Sequence, residues 1–325
     1  MNLFTSLIYL TALHQHKHFG RAAEACHITQ PALSNAIRAL EEEFGTAIVK
    51  RGRSFQSFTP EGERIFVSAQ RMLHEQKLLQ QDLKTAAGHP TGTLTLAAVP
   101  TVIPIAARFS GVLQARHPGL SLVLWAMSSS DIEAGLQDLS LDLGFGFTDR
   151  LQVKATKLTA IHQYTERYFL LRRKAQPARK GLSAKMRPMS WQAAAQLPLC
   201  LLTPDMHNRA IVEDAFRQAG VVIKPVIETN SILALGMTVL AGEVSSILPG
   251  ALVNALRGYS ELEAVPLSAP EVLTPIGFMY SFSDRPSHAL RAALDMADDP
   301  TWLQHVASHA GLPQSEMPRR QVPVR

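Results

Sequence analysis

Leu33, Ile37 and Leu40 recur at steps of four and three, while Gln30, Ser34 and Arg38 fall on another face with Asn35 beside them. That period predicts an amphipathic helix with one buried stripe and one polar face. Thr29 is placed to cap it through its hydroxyl. Pro31 suits a first turn, where an amide has no intrahelical partner, so the helix starts near Gln30. An Ala-rich stretch, 21–26, precedes it as a short helix, with His27 and Ile28 as a tight turn between the two. Behind it, 48–50 and 54–58 pair as short strands around Gly52, which clusters Lys50, Arg51 and Arg53 at the tip.

Helix, turn, helix and basic ribbon is a layout for entering DNA. Gln and Asn pair with adenine bidentately, Arg pairs with guanine, and Ser serves base edges or phosphate. The expected contacts are therefore Thr29, Gln30, Pro31, Ser34, Asn35 and Arg38 on the helix, with Arg51 and Arg53 on phosphate or in the minor groove. The competing readings are an ordinary surface helix and a solvated charged turn.

Thr59 and Pro60 repeat the cap-then-proline start, Glu61 and Glu63 suit the helix dipole, and no Gly or Pro intervenes between Glu63 and Ala87. One helix of about 40 Å follows over 60–87. Ile65, Ala69, Met72, Gln76, Leu79 and Leu83 alternate steps of four and three, the seam of a coiled coil, and a polar residue such as Gln76 can fix its register. Dimerisation is the expectation; packing against its own domain is the alternative. The run 88–92 breaks the helix and is the expected hinge.

From Thr93 onward strands and helices alternate: 94–99, a helix to 116, 121–127, a helix to 139, 141–147. This order predicts an α/β domain with a parallel sheet. A second lobe repeats the theme with strands at 168–171, 199–203, 222–229 and 245–248 and helices at 206–219 and up to 241; 273–281 returns the chain to the first lobe.

Ala22 Ala23 Glu24, Gln30 Pro31 Ala32 Leu33 Ser34, Leu40 Glu41 Glu42, Gly45, Arg51 and Thr59 Pro60 Glu61 Gly62 together resemble the N-terminal domain of LysR-type transcriptional regulators. The likeness is strong through roughly the first ninety residues and weaker beyond. Asn35, His18 and 48–50 depart from the family's usual residues. The resemblance implies an N-terminal all-α winged helix-turn-helix over 1–59 and a linker helix over 60–87. It also implies a C-terminal α/β two-lobed, periplasmic-binding-protein-like domain over 93–312, with 93–165 and 269–312 in one lobe and 166–268 in the other. A flexible tail, 313–325, completes the chain.

The same resemblance places a small effector between the lobes, where strands end and helices begin. Helix N-termini expose free amides that favour anions, so a small organic or inorganic anion is the expected ligand. Thr101, Ser128, Ser129 and Thr203 are the expected contacts, with Asn208 and Arg209 as anion partners. Ser130 with Glu133 reads as a capping box, and Asp205 and Asn230 as plain caps.

Net charge is +5, yet residues 1–90 hold ten Lys or Arg against eight Asp or Glu, only +2, so global charge says little about DNA. Cys26 and Cys200 lie far apart, in contexts that read as a buried short helix and a buried strand, so no structural disulfide is expected. Redox-sensing members of the resembled family use paired cysteines in the effector domain, and Cys200 has none nearby. His14, His16, His18 and His27 read as solvated rather than metal-binding. No cofactor is expected. No apolar run approaches the roughly 18 residues that span a bilayer, and the start lacks a signal-peptide pattern, so the expectation is a cytoplasmic protein without a membrane partner.

The leading reading is a homo-oligomeric regulator, a homodimer or homotetramer, with promoter DNA and an effector as partners and RNA polymerase as a further candidate. The alternative is an enzyme acting on a small metabolite through the two-lobed domain. It lacks a G-x-S-x-G elbow, an H-E-x-x-H motif and a phosphate loop, and Gly144 with Gly146 form only part of a dinucleotide fingerprint. A free ligand carrier would need an export signal.

Overall fold

Asn2 starts the first helix, α1 (Leu3–His16), by accepting from Phe4 N at 3.0 Å, and Lys17, left-handed at φ 49°, ends it. Stopping there leaves His18 to cap α2 (Phe19–Ala25), its Nδ1 accepting from Gly20 N and Arg21 N at 3.0 and 3.3 Å. His14 and His18 therefore share no helix face. The polar helix, α3, is Gln30–Phe44, with Thr29 Oγ1 accepting from Ala32 N at 3.4 Å and Pro31 in the first turn. These features come from a computed structural model describing residues 2–51, 55–84, 90–150, 158–174, 187–282 and 286–309. The chain divides into two compact units, 1–88 with 138–140, and 89–137 with 141–325.

In the first unit, Leu7, Leu10, Leu13, Ala22, Leu33, Ile37 and Leu40 form a single buried core. The ribbon pairs β1 (Val49–Arg51) with β2 (Phe55–Phe58), antiparallel, with Val49 opposite Phe58. Glu41 explains the acidic pair after Leu40: its Oε1 accepts from Ile48 N at 2.9 Å and Val49 N at 3.3 Å, tying α3 to the ribbon. The long helix α4 (Pro60–Lys84) opens with Thr59 Oγ1 accepting from Gly62 N at 2.9 Å and donating to Ala47 O at 2.6 Å. Gly62 is required there, because a Cβ would lie 2.1 Å from Ile48 O. The tip at 52–54, the helix end at 85–87, hinge positions 88–89 and the tail at 313–325 lie outside the described residues.

The second unit begins with β3 (Gly92–Ala98), a 3-10 turn (Pro100–Val102), α5 (Ile103–Arg116), β4 (Leu120–Ala126), α6 (Ser129–Gln137) and β5 (Leu143–Phe147). A long strand, β6 (Leu158–Arg173), follows, then β7 (Met189–Ser190), α7 (Trp191–Ala194), β8 (Cys200–Leu202), α8 (His207–Gln218), β9 (Ile227–Thr229), α9 (Ile232–Ala241) and β10 (Ser246–Pro249). The remainder is α10 (Gly250–Ala255), β11 (Leu262–Ser268), β12 (Leu273–Ser281), α11 (His288–Ala297) and α12 (Pro300–His309).

The expected parallel pairing forms where β3 pairs with β4 and β5 and, in the second lobe, where β8 pairs with β9 and β11 with β7. β12 runs antiparallel to β5 and β6, and β6 runs antiparallel to β10 and β11. The reason is topological: one strand leaves the first lobe and one returns, so the two must run in opposite senses. The strand expected at 168–171 is only the far end of β6. Its near half escaped notice because its buried residues include Gln163 and Glu166. The strand expected at 222–229 shrinks to Ile227–Thr229, with Val222 96% exposed.

The first lobe packs Phe109, Phe145, Phe278 and Trp302 against its sheet, with ring centroids 4.1 to 5.0 Å apart. Two cores flank the second lobe's strands, one around Trp191 and Phe216, the other around Leu171, Cys200 and Leu235. Ends of β3, β4, β5 and β8 thereby reach one region, which positions the site.

Candidate DNA-reading face and interlobe cleft

On α3, Leu33, Ile37 and Leu40 are buried, Thr29, Gln30, Pro31, Asn35 and Arg38 are exposed, and Ser34 is half-buried. The side chains of Gln30, Asn35 and Arg38 bond no other described residue, so their donors and acceptors remain available. Arg51 closes β1 opposite Phe55; its side chain, and all of Arg53, lie outside the described residues. Lys50 is exposed beside them.

His14 departs from the expectation of a solvated ring. It stacks on Phe66 at 3.6 Å and is bonded to Glu63 at 3.2 Å, fastening α1 to α4. Burial pushes its pKa down, and Lys17 adds to the shift. Along α4, Ala69 is buried with Ile65 and Leu73 packed beside it in the unit's own core, and Gln76 is half-buried. Met72, Leu79 and Leu83 are 40%, 59% and 73% exposed.

In the second unit a narrow cleft forms where strands end and helices begin. Its apolar lining is Val99, Pro100, Phe147, Leu202 and Met206; its polar lining is Thr101, Ser128, Ser129, His207 and Asn208. Among the described residues none of the lining carries a formal charge. The space inside is about 10 Å³, on the order of one water molecule. Ser129 Oγ, Thr203 Oγ1 and His207 Nε2 are buried with no hydrogen-bond partner among the described residues. A buried polar atom left in that condition costs about 1–3 kcal/mol.

Other expected contacts are occupied within the protein. Ser128 Oγ donates to Asp131 Oδ2 at 2.6 Å and accepts from Asp131 N at 3.2 Å, so the cap of α6 is Ser128, not Ser130. Glu133, read as the capping partner, instead accepts from Arg150 Nε at 2.8 Å. Asn208 Nδ2 donates to Tyr168 Oη at 3.1 Å. Asp205 and Asn230 cap neither helix: the cap position of α8 is Met206, which offers no side-chain cap, and Ser231 caps α9. Arg209, the expected anion partner, is turned away from the cleft. Its Nη1 donates to Leu202 O and Glu228 Oε1, both at 2.6 Å, and its Nε to Glu213 Oε1 at 2.8 Å. That network joins the ends of β8 and β9 and engages two of the three guanidinium nitrogens, and Arg209 is not among the residues that line the cleft.

Residue patterning missed Phe147, Arg150 and His207. Phe147 meets the His207 ring edge-on at 4.8 Å, and Arg150 Nη1 lies 3.3 Å from His207 Nδ1. Burial first, then the charge of Arg150, pushes the His207 pKa down. The available signal was its position at the head of a helix already expected to face the ligand. Near the cleft, β6 buries Glu166, whose carboxylate accepts from Tyr164 Oη at 3.1 Å and Ala251 N at 3.2 Å. Burial raises its pKa to about 8 against those bonds.

Two family models match the chain. Residues 4–63 match the bacterial regulatory helix-turn-helix protein, lysR family, and residues 87–300 match the LysR substrate binding domain. A hydrogen peroxide-inducible genes activator of Haemophilus influenzae is 34% identical over 137 residues, 42% of this chain and 46% of that protein. An SDS degradation transcriptional activation protein of a Pseudomonas species is 34% identical over 148 residues, 44% of this chain and 47% of that one. The matched stretch thus spans about half the length of these curated relatives.

Among solved structures, a full-length OxyR mutant from Pseudomonas aeruginosa superposes with a TM-score of 0.66 at 25% identity, covering 91% of this chain and 97% of that one. Full-length CbnR bound to its target DNA shares the fold, with a TM-score of 0.62 at 20% identity over 94% of this chain and all of that one.

Proposed function

Because the chain belongs to the LysR family of bacterial regulatory helix-turn-helix proteins, we propose that it binds promoter DNA sequence-specifically and changes its grip when a small molecule enters the interlobe cleft. The family is one of regulators, which leaves the enzyme alternative without support. One observation carries the reading: the chain separates an exposed, unspent Gln30, Asn35 and Arg38 face from a buried cleft whose polar atoms want partners.

The relatives named for peroxide induction raise the question of thiol sensing. This chain has two cysteines, both free; neither lines the cleft, and burial raises both thiols, whereas a reactive thiol needs a lowered pKa. Reversible binding without thiol oxidation is the reading that fits.

Self-association runs through α4, whose exposed Met72, Leu79 and Leu83 supply an apolar stripe, as a homodimer that pairs into a homotetramer. RNA polymerase is the downstream partner and the cytoplasm the compartment. Among the described residues no helix is long and apolar enough to cross a membrane.

The test is selection of genomic fragments by the purified full chain at physiological salt, followed by footprinting with a panel of small molecules. Enrichment of one partly palindromic promoter site, with a footprint altered by one compound, is the expected result. Retention no better than for random DNA would overturn the reading.

A further inference from the structure

His207 stands where the two lobes meet. α8 carries it in the second lobe, while Phe147 and Arg150, which face it, belong to the end of β5 and the helical segment that begins at Asp149 in the first. A guanidinium only donates hydrogen bonds. The ring nitrogen facing Arg150 at 3.3 Å, Nδ1, is therefore the unprotonated one, and the proton of a neutral imidazole sits on Nε2. Burial and the arginine's charge both disfavour a second proton. Nε2 is thus an N–H donor, buried with no partner among the described residues, on a residue that lines the cleft. Ser129, 7% exposed, adds a second unpartnered polar atom in the same lining.

Charge separates the ligand classes. Helix N-termini favour an anion by about 0.3–1 kcal/mol each. Burying a charge without a countercharge costs several kcal/mol. Among the described residues the cation set against His207, Arg150, already lies 2.8 Å from Glu133, and both Asp149 and Glu133 act on the His207 ring as negative charges. The desolvation cost of an anion therefore wins over the helix termini.

Building on the regulator reading of this cleft, we infer that Arg150 locks His207 as a hydrogen-bond donor, so that the cleft selects a small uncharged molecule bearing an acceptor oxygen. Arg150 is a positioning residue: it acts through the imidazole and does not line the cleft. It also ties lobe to lobe, so a ligand that engages Nε2 works on a ring both lobes hold.

Nitrogen-15-labelled histidine in the full chain reads the tautomer directly, with His207→Gln identifying its signals among the twelve histidines. A protonated Nε2 and bare Nδ1 at neutral pH are expected; Arg150→Gln should yield mixed tautomers, and Arg150→Lys, another pure donor, should restore the first. A proton on Nδ1, or a tautomer indifferent to Arg150→Gln, would overturn the lock. Acetamide and acetate, near-isosteres that differ in charge, then probe the ligand class at matched ionic strength. Acetamide should shift the His207 ring saturably and bind on the order of tenfold tighter than acetate. Equal or tighter acetate binding, or silence from both, overturns the assignment. Promoter retention by the same preparation reports on the regulator reading separately, so the two fail visibly apart.

Discussion

The polar face of α3 and the interlobe cleft use similar residue types in opposite ways. On α3 the amides and the guanidinium stand in solvent and bond no other described residue. In the cleft Thr101 and Ser129 are buried and His207 is half-buried with its Nε2 covered, while Ser128 and Asn208 in the same lining, and Arg209 outside it, are committed to capping or to the lobe's own scaffold. One site is a surface waiting for a partner that brings its own charge; the other is an interior with a few polar atoms left over. Changes on α3 should therefore alter affinity and leave stability alone, whereas changes around the cleft should alter both.

The largest expected effect is in the scaffold. Arg209→Ala removes charge-assisted bonds to Leu202 O and to two partly exposed carboxylates, Glu213 and Glu228, and should lower the stability of the second unit by about 1.5–3 kcal/mol; an unchanged denaturation midpoint would show that the arginine is not structural. Next comes Glu166. Its folded pKa of about 8 exceeds the ordinary 4.5, so the folded state binds the extra proton. The associated stability is fully present below pH 4.5 and is lost as pH rises through about 8. Glu166→Gln should flatten that decline, on the order of a few kcal/mol; parallel pH–stability curves for variant and wild type would refute the burial argument.

Arg38→Ala on the exposed face should cost about 1–3 kcal/mol of specific DNA affinity with no change in thermal midpoint, read by a salt-controlled shift assay. The smallest effect, and the sharpest contrast with Arg38, belongs to Thr203→Val. Removing an unpartnered buried hydroxyl should leave the fold unharmed or up to about 1 kcal/mol more stable, while the footprint's response to effector weakens. A destabilised variant would mean that the hydroxyl is already satisfied.

The same contrast explains what was legible in the residue pattern. Thr29, Pro31 and the Leu33, Ile37, Leu40 stripe specify α3 locally, within one helix, so its start and exposed face could be read directly. The cleft is assembled from four segments spread over more than a hundred residues. Helix starts marked Thr101, Ser128, Ser129 and Asn208, and those residues line the cleft. Which side chains turn inward depends on partners that only the fold brings close, and so Arg209 was misplaced and Arg150 and His207 were missed. β6 was truncated for a related reason: Gln163 bonds Ala297 O at 3.1 Å and Trp302 Nε1 at 2.7 Å, so a polar residue occupies a core position.

That glutamine also marks an interruption in the ladder. β6 and β12 run side by side from lobe to lobe, and their register slips between Ile276 and Gly277, opposite the stretch that holds Gln163. A bulge concentrates twist at one place along a strand pair. The connection between the lobes is thus a torsion bar with a notch in it, not a loose joint. A rotation of one lobe against the other would therefore have to twist this paired ribbon, and the bulge is where that twist would gather.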